Sequence, residues 1–361
     1  MATMDPMRVV VGMSGGVDSA VAALRLIEAG YDVHGLYMSN WDDEDRYCTS
    51  AQDYQDARAT ARELGIVLHR VSFALEYRQQ VFGQFLAEYQ RGRTPNPDIL
   101  CNREIKFGIC QGYARRLGAA WFATGHYARL AHGDCGPELL RGCDAAKDQS
   151  YFLCGVERAQ FAQVLFPLGD LTKVEVRARA RQAGLPVFDK PDSTGICFIG
   201  ERPFTEFLGH YLAESPGPIE SADGQRLGTH RGLPFYTLGQ RSGLAIGGVS
   251  GGSGDPWYVA RKDPARNALI VVAARDRAAV ATESARTGKV NWLVEAPAAT
   301  FTATVKLRYR QPDQGASITG LADGTARLRF DTPQWAVTPG QTAAIYLHER
   351  CLGGGVIEES L

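Results

Sequence analysis

RVVVGMSGGVDSAVAALRLIEAG, residues 8–30, sets the architecture. Its first six residues, RVVVGM, are a short apolar run of the kind that forms a buried strand. A polar, Gly-rich turn follows, Ser14-Gly-Gly-Val-Asp-Ser19. Ala20, Ala23, Leu24 and Ile27 then recur at the spacing of one helix face, and Gly30 sits where such a helix ends. Outward from this unit, residues 32–38 (DVHGLYM) predict a second strand, 51–65 a helix and Ile66–Val71 a third strand. A helix is expected over 103–118, where Ile105, Ile109, Tyr113 and Leu117 lie four apart. Residues 120–124 (AWFAT) predict another strand running into Gly125-His126. The β-α-β-α-β order predicts an α/β, doubly wound parallel sheet of Rossmann-like type over 1–203.

Near residue 200 the pattern changes. One helix is expected over 204–213, then Pro216-Gly-Pro218 and a Gly-rich stretch, Gly239–Gly252, that reads as loops. Short alternating runs follow at 303–309, 326–330, 343–347 and 355–357, separated by Pro312-Asp313, Asp323-Gly324 and Pro339-Gly340. This predicts a small central domain over 204–280 and a C-terminal antiparallel β-barrel or sandwich over 281–361.

The 361 residues are 45% hydrophobic and 22% charged, which excludes extensive disorder. No apolar run is long enough to span a membrane, and Met1–Met7 has no secretory pattern, so a cytoplasmic location is expected. Net charge is −1, so affinity for nucleic acid would depend on local patches. Segment 226–277 carries eight basic residues against three acidic ones, a net +5, whereas 281–361 is balanced. The eight cysteines show no C-x-x-C spacing, which argues against a zinc ribbon or a thioredoxin-type motif. No metal site is expected.

A strand, a Gly-rich turn and a helix aim backbone N–H groups and a helix N-terminus at an anion. The turn lacks the Lys-[Ser/Thr] of a Walker A loop and is not G-x-G-x-x-G. Gly15 and Gly16 let phosphate oxygens reach the backbone, Ser14 and Ser19 add hydroxyls, and Asp18 can orient the loop or face a magnesium ion. A capped glycine turn is the plain alternative. Two further segments stand out, TPNPDILCNREIKF (Thr94–Phe107) and DSTGICFIGER (Asp192–Arg202). Pro95 and Pro97 predict an extended loop, with Cys101 just before a helix beginning near Arg103. A helix N-terminus, Arg103 and Lys106 would favour a thiolate there. Cys197 follows Gly195 in a loop. The plain reading of any one cysteine is a buried apolar side chain, and Cys48, Cys110, Cys135, Cys143, Cys154 and Cys351 keep it.

The SGGVDS loop resembles the signature of the PP-loop ATP-pyrophosphatase family. With it, the two cysteine segments, His126-Tyr-Ala-Arg129, Ala146–Phe152 (AKDQSYF), Tyr236–Arg241 (YTLGQR), Val305–Arg310 (VKLRYR) and Pro339-Gly-Gln341 resemble the tRNA-specific 2-thiouridylases. The resemblance implies thiolation of the wobble uridine of the tRNAs for lysine, glutamate and glutamine. It implies ATP with Mg2+ as substrate, held by Gly12, Met13, Ser14, Gly15, Gly16, Val17, Asp18, Ser19, Met38 and Gly125. It assigns Cys197 as the persulfide carrier, Cys101 as partner thiol and Asp98 as candidate acid/base. It implies contacts to the target base or tRNA from Asn96, Pro97, Asp98, His126, Lys147, Asp148, Gln149, Arg308, Tyr309 and Gln341. The implied partners are tRNA and a persulfide donor, either a cysteine desulfurase or a sulfur-relay protein, and the protein is expected to be a monomer. No permanently bound cofactor is expected. An iron–sulfur cluster on Asp98, Cys101 and Cys197 is a variant. Another PP-loop ligase acting on a small molecule, and a non-enzymatic RNA-binding or sulfur-carrier protein, are the rival readings.

Overall fold

The computed structural model describes residues 6–41, 50–133, 136–192, 204–246 and 255–361. Arg8–Gly12 (β1) pairs in parallel with Asp32–Ser39 (β2), which pairs in turn with Val67–Ser72 (β3). On its other side β1 pairs with Trp121–Ala123 (β4). The chain then makes a hairpin, Ala128–Gly133 (β5) and Gly136–Arg141 (β6), before Val164–Leu165 (β7) adds to β4. The parallel sheet therefore has the order β3-β2-β1-β4-β7.

β1 is buried because both faces are covered, which is why it reads as an uninterrupted apolar run. Val9 and Val11 face a core shared with the helices Val17–Glu28 (α1), Ser50–Glu63 (α2) and Lys173–Gln182. Val10 faces the opposite core, with Ile105, Phe107 and Phe122. Each of these fully buried valines contributes about 2 kcal/mol relative to an exposed one. The strand order reverses between the parallel strands β1 and β4, so their carboxyl ends open onto one crevice.

The expected helix over 103–118 begins earlier. Asn96 Oδ1 accepts from the Asp98 and Ile99 amides at 3.2 and 3.4 Å, and Pro97 takes the first helical position. A missing N–H costs nothing there. Pro97 thus starts the helix that its type suggested it would prevent. The run opens as Pro97–Leu100, widens into i→i+5 geometry over Cys101–Cys110 and ends as Gln111–Arg116. The helix expected over 204–213 is shorter, Phe204–Gly209.

The central region is a four-stranded sheet. Gly217–Ser221 (β8), Arg226–His230 (β9), Trp257–Asp263 (β10) and Ala268–Ala273 (β11) lie in the order β10-β11-β8-β9. Residues 239–246 contain no helix or strand, as the Gly-rich stretch predicts, and 247–252 lie outside the described residues.

The C-terminal region is a closed barrel rather than a sandwich. Its strands are Thr282–Thr287 (β12), Phe301–Lys306 (β14), Gln314–Gly320 (β15), Ala326–Gln334 (β16), Thr342–Leu347 (β17) and Arg350–Ser360 (β18), with the short Asn291–Trp292 (β13) added to β18. The ring runs β12-β16-β15-β14-β17-β18 and closes through β18 to β12. Ala303, Val305, Ile318, Leu328 and Ile345 fill it. Among the described residues no helix is long and apolar enough to cross a membrane.

The three regions meet at Thr94. Its amide donates to Pro339 O at 3.0 Å, its hydroxyl lies 3.2 Å from that of Thr237, and Gly340 rests on its backbone. Gly340 has φ +93°, and a Cβ there would fall 2.8 Å from Thr94 N. Gly340→Ala is therefore expected to destabilise the chain by about 1–3 kcal/mol. Urea unfolding checks this, and an unchanged midpoint would contradict the close approach.

Candidate functional site

The turn after β1 is built by its own hydroxyls. Ser19 Oγ donates to Gly16 O at 3.0 Å and accepts from the Ser14 amide at 3.1 Å. With its one proton spent on Gly16, Ser19 Oγ must also accept from Ser14 Oγ, 3.2 Å away. Gly15 adopts φ +77°, and a Cβ there would run into the Asp53 carbonyl. Gly16 caps α1 without any side-chain hydrogen bond to the first-turn amides. Those amides and the helix dipole give the turn the electrostatics that suit an anion.

Asp18, in the first turn of α1, anchors the network around the loop. Its Oδ1 accepts from Tyr127 Oη at 2.7 Å and from Lys173 Nζ at 2.6 Å. Lys173 Nζ also lies 2.7 Å from Asp192 Oδ1. Asp192 further accepts from Lys147 Nζ at 2.7 Å and Arg177 Nη2 at 2.9 Å. Burial pushes the Asp192 pKa up, but the Lys147 and Lys173 ammonium groups outweigh it and hold the carboxyl down to about 2. Burial and the Asp18 carboxylate push the Tyr127 phenol up, so it stays a donor. Lys190 braces the outer side of the turn, donating to Gly15 O at 3.0 Å and pairing with Asp53 and Asp56 at 2.8 and 2.5 Å.

Gly125 packs on this loop from the end of β4. A Cβ there would lie 2.8 Å from the Asp18 carbonyl carbon and 2.9 Å from Ser19 N. His126 is buried with Nδ1 2.7 Å from Thr124 Oγ1. Burial, then Lys106, push its pKa well below the ordinary value, so the ring is neutral. Gly12 ends β1, Met13 and Val17 are buried, and Met38 Sδ accepts from the Cys110 thiol at 3.7 Å.

Segment Ala146–Phe152 ties the loop to the cysteine helix. Lys147 holds Asp192, Gln149 Oε1 accepts from the Tyr127 amide at 3.0 Å, and Phe152 O accepts from Asn102 Nδ2 at 3.1 Å. Asp148 is buried, accepting from the Gly142 and Ser150 amides and the Ser150 hydroxyl. On the helix itself, Asn96 is the cap, Pro97 is buried, Asp98 is half-buried in the first turn and Cys101 is fully buried one turn further on. Cys101 therefore does not precede the helix as expected. The dipole fades within the first turn, and Arg103 is paired with Glu104 at 2.7 Å. Cys197 lies outside the described residues. Among the described residues no group of three His, Cys, Asp or Glu is arranged to hold a metal ion, and of the cluster variant's ligands only Asp98 and Cys101 are described.

Arg308 Nη2 donates at 2.8 Å to Leu238 O, Ala336 O and Thr338 Oγ1, and Tyr309 packs on Phe152 with ring centroids 4.4 Å apart. Gln341 Nε2 donates to Thr94 O at 2.8 Å. Much of the +5 segment is spent internally: Arg231 pairs with Glu214, Arg266 with Glu220, Arg275 with Asp255, and Lys262 turns inward. Tyr127, Lys173 and Lys190 were missed as site residues. The signal for Lys173 was present in Thr172-Lys-Val-Glu175, a capping box that fixes Lys173 at a helix start.

Three family models match the chain in succession: a tRNA methyl transferase HUP domain over 7–201, a tRNA methyl transferase PRC-barrel domain over 205–273 and an aminomethyltransferase beta-barrel domain over 282–357. The tRNA-specific 2-thiouridylase MnmA of Sodalis glossinidius (strain morsitans) is 54% identical over 355 residues, 97% of this chain and 96% of that one. Its counterpart in Tolumonas auensis is 52% identical over 363 residues, 99% of this chain and 98% of that one. Among solved structures, a U34-tRNA thiolase NcsA from Methanococcus maripaludis is 17% identical, with a TM-score of 0.36 over 53% of this chain and 62% of that one.

The depressed Asp192 pKa gives a signed expectation. Its contribution to stability is complete above the unfolded carboxylate pKa of about 4 and is lost as pH falls through about 2. Asp192→Asn should therefore unfold at lower urea than the parent at pH 7, with the gap narrowing as pH drops below 4. A gap that stays constant with pH would contradict the ion-pair network.

Proposed function

The chain belongs to the tRNA-specific 2-thiouridylase family, and from that premise we propose that it is an ATP-dependent tRNA sulfurtransferase acting on the wobble uridine of the tRNAs for lysine, glutamate and glutamine. The observation that carries this reading is identity above half with thiouridylases over nearly the whole chain.

The proposed chemistry runs in three steps. The C2 oxygen of uracil attacks the α-phosphate of ATP and pyrophosphate leaves, converting a poor leaving group into AMP. The terminal sulfur of a Cys197 persulfide then attacks C2, and AMP departs with the C2–O bond. The Cys101 thiolate attacks Cys197 Sγ, the S–S bond to the base breaks and 2-thiouridine is released, leaving a Cys101–Cys197 disulfide. A thiol reductant resets the pair, and a persulfide donor reloads Cys197. A persulfide's outer sulfur is a soft, strong nucleophile, and a second thiol is its natural resolving group.

The geometry supports roles for particular residues. The loop Ser14–Ser19 and the first-turn amides of α1 suit the triphosphate, with Asp18 facing its magnesium ion. Met38 and Gly125 suit the adenosine. Asp98, half-buried in the first turn of Cys101's helix, suits proton transfer at the base, with Asn96 and Pro97 beside it. A base in an anticodon loop is already unpaired, so delivering it to this crevice costs little. Neutral His126 suits a hydrogen bond rather than a phosphate contact. Lys147, Asp148, Gln149, Arg308, Tyr309 and Gln341 remain the proposed tRNA-side residues; Lys147 and Gln149 also brace the loop through Asp192 and Tyr127.

Gly125→Ala should press a methyl group into the Asp18–Ser19 backbone and weaken ATP binding about tenfold or more while sparing tRNA affinity. Calorimetric titration with ATP reads this, and unchanged affinity would separate Gly125 from the nucleotide. Cys197→Ser should abolish 2-thiouridine, scored by mass spectrometry of tRNA nucleosides, with tRNA binding close to the parent's. Retained thiolation would overturn the persulfide route.

A further inference from the structure

Lys262 lies in the basic segment, yet its ammonium points away from solvent. Nζ donates to Gly92 O of the catalytic domain at 2.8 Å, and no carboxylate pairs with it among the described residues. Burial alone pushes its pKa down to about 8. Withdrawing an ammonium from water without an acidic partner is unfavourable for stability, so the contact calls for another explanation.

Its target supplies one. Gly92, at φ +76°, ends the helix Gly83–Gln90, with its amide bonded to Tyr89 O and that of Arg93 to Glu88 O. From there to the cap of the cysteine helix the chain is extended and held from outside. Arg93 pairs with Glu358 of the barrel at 2.6 Å and donates to Ile357 O. Thr94 is bonded to Pro339 O, to Gln341 Nε2 and to the Thr237 hydroxyl. Two residues later Asn96 caps the turn that carries Asp98, and one turn further lies Cys101. The barrel grips this segment at Arg93 and Thr94, where Thr237 of the central region joins it, and the central sheet fixes where the segment starts, through Lys262.

We propose that Lys262 is a positioning residue for thiolation: by holding the Gly92 carbonyl it sets the 92–96 segment, and through it the placement of Asp98 and Cys101. The proposal rests on the thiolase reading and adds a residue that no tRNA or nucleotide contact requires. It distinguishes Lys262 from its basic neighbours, whose charges, where free, are available to phosphate.

The test compares Lys262→Met and Lys262→Arg with the parent as full-length proteins. Hydrogen exchange of the Thr94, Asp98 and Ile99 amides should be about tenfold faster in Lys262→Met, with Val9–Val11 unchanged. The thiolation rate at saturating ATP and tRNA should fall about tenfold, with tRNA Kd within about twofold of the parent. Lys262→Arg should restore most of both effects. Exchange indistinguishable from the parent would overturn the proposal. So would a loss confined to tRNA affinity, which would make Lys262 a phosphate contact. Should Lys262→Met not fold, Lys262→Gln, which withdraws the donor from the Gly92 carbonyl while keeping a polar end, is read by the same exchange, and unchanged Thr94, Asp98 and Ile99 amides there would also overturn it. If the parent itself forms no 2-thiouridine, the thiolase reading fails while the exchange result still decides the positioning role.

Discussion

One ammonium group, that of Lys173, lies between two carboxylates that belong to different parts of the chain. Asp18 sits in the first turn after the phosphate loop, and Asp192 ends the described chain just before the segment containing Cys197. These half-buried pairs add some stability, which exposure of the two carboxylates keeps modest. They also fix geometry, because three cations on Asp192 and two donors on Asp18 leave neither carboxylate free to rotate. The Gly-rich turn and the approach to the segment containing Cys197 therefore share one fixed reference.

The same economy recurs across the crevice. Residues 146–152 make no regular sheet contact, yet they reach Asp192, Tyr127 and Asn102 in turn. They bind the Gly-rich turn to the cysteine helix without a continuous secondary element. Two smaller regions complete the arrangement. The barrel's Pro339–Gln341 turn and the central strand β10 both close on residues 92–95, so the placement of Cys101 depends on domains that hold none of the phosphate loop.

The parallel sheet was legible because an uninterrupted run such as Val9–Val11 is demanded by burial on both faces, and because turn glycines mark each crossover. The barrel was legible as alternation, but β15 (QGASITG) was not, since small and polar residues give it little apolar contrast. The start of the cysteine helix was misjudged because proline breaks helices everywhere except in the first turn, and only the Asn96 cap distinguishes the two cases. The site divided in the same way. Ser14–Ser19 announces itself through local sequence. Lys173, Lys190 and Lys262 act across separations of more than 130 residues, and no local pattern reports where a lysine's ammonium will land. The charge count over 226–277 likewise overstated the free positive surface, because several of its cations are paired within the fold.

The central claim, activation of uridine by ATP followed by sulfur transfer, is tested most directly by stoichiometry. The protein is incubated with ATP, unmodified tRNA for glutamate and a persulfide source, and pyrophosphate and thionucleosides are quantified together. The account predicts one 2-thiouridine at the wobble position for each pyrophosphate released, and neither product without tRNA. Pyrophosphate release that needs a small molecule instead of tRNA, or thiolation that proceeds without ATP, would contradict it.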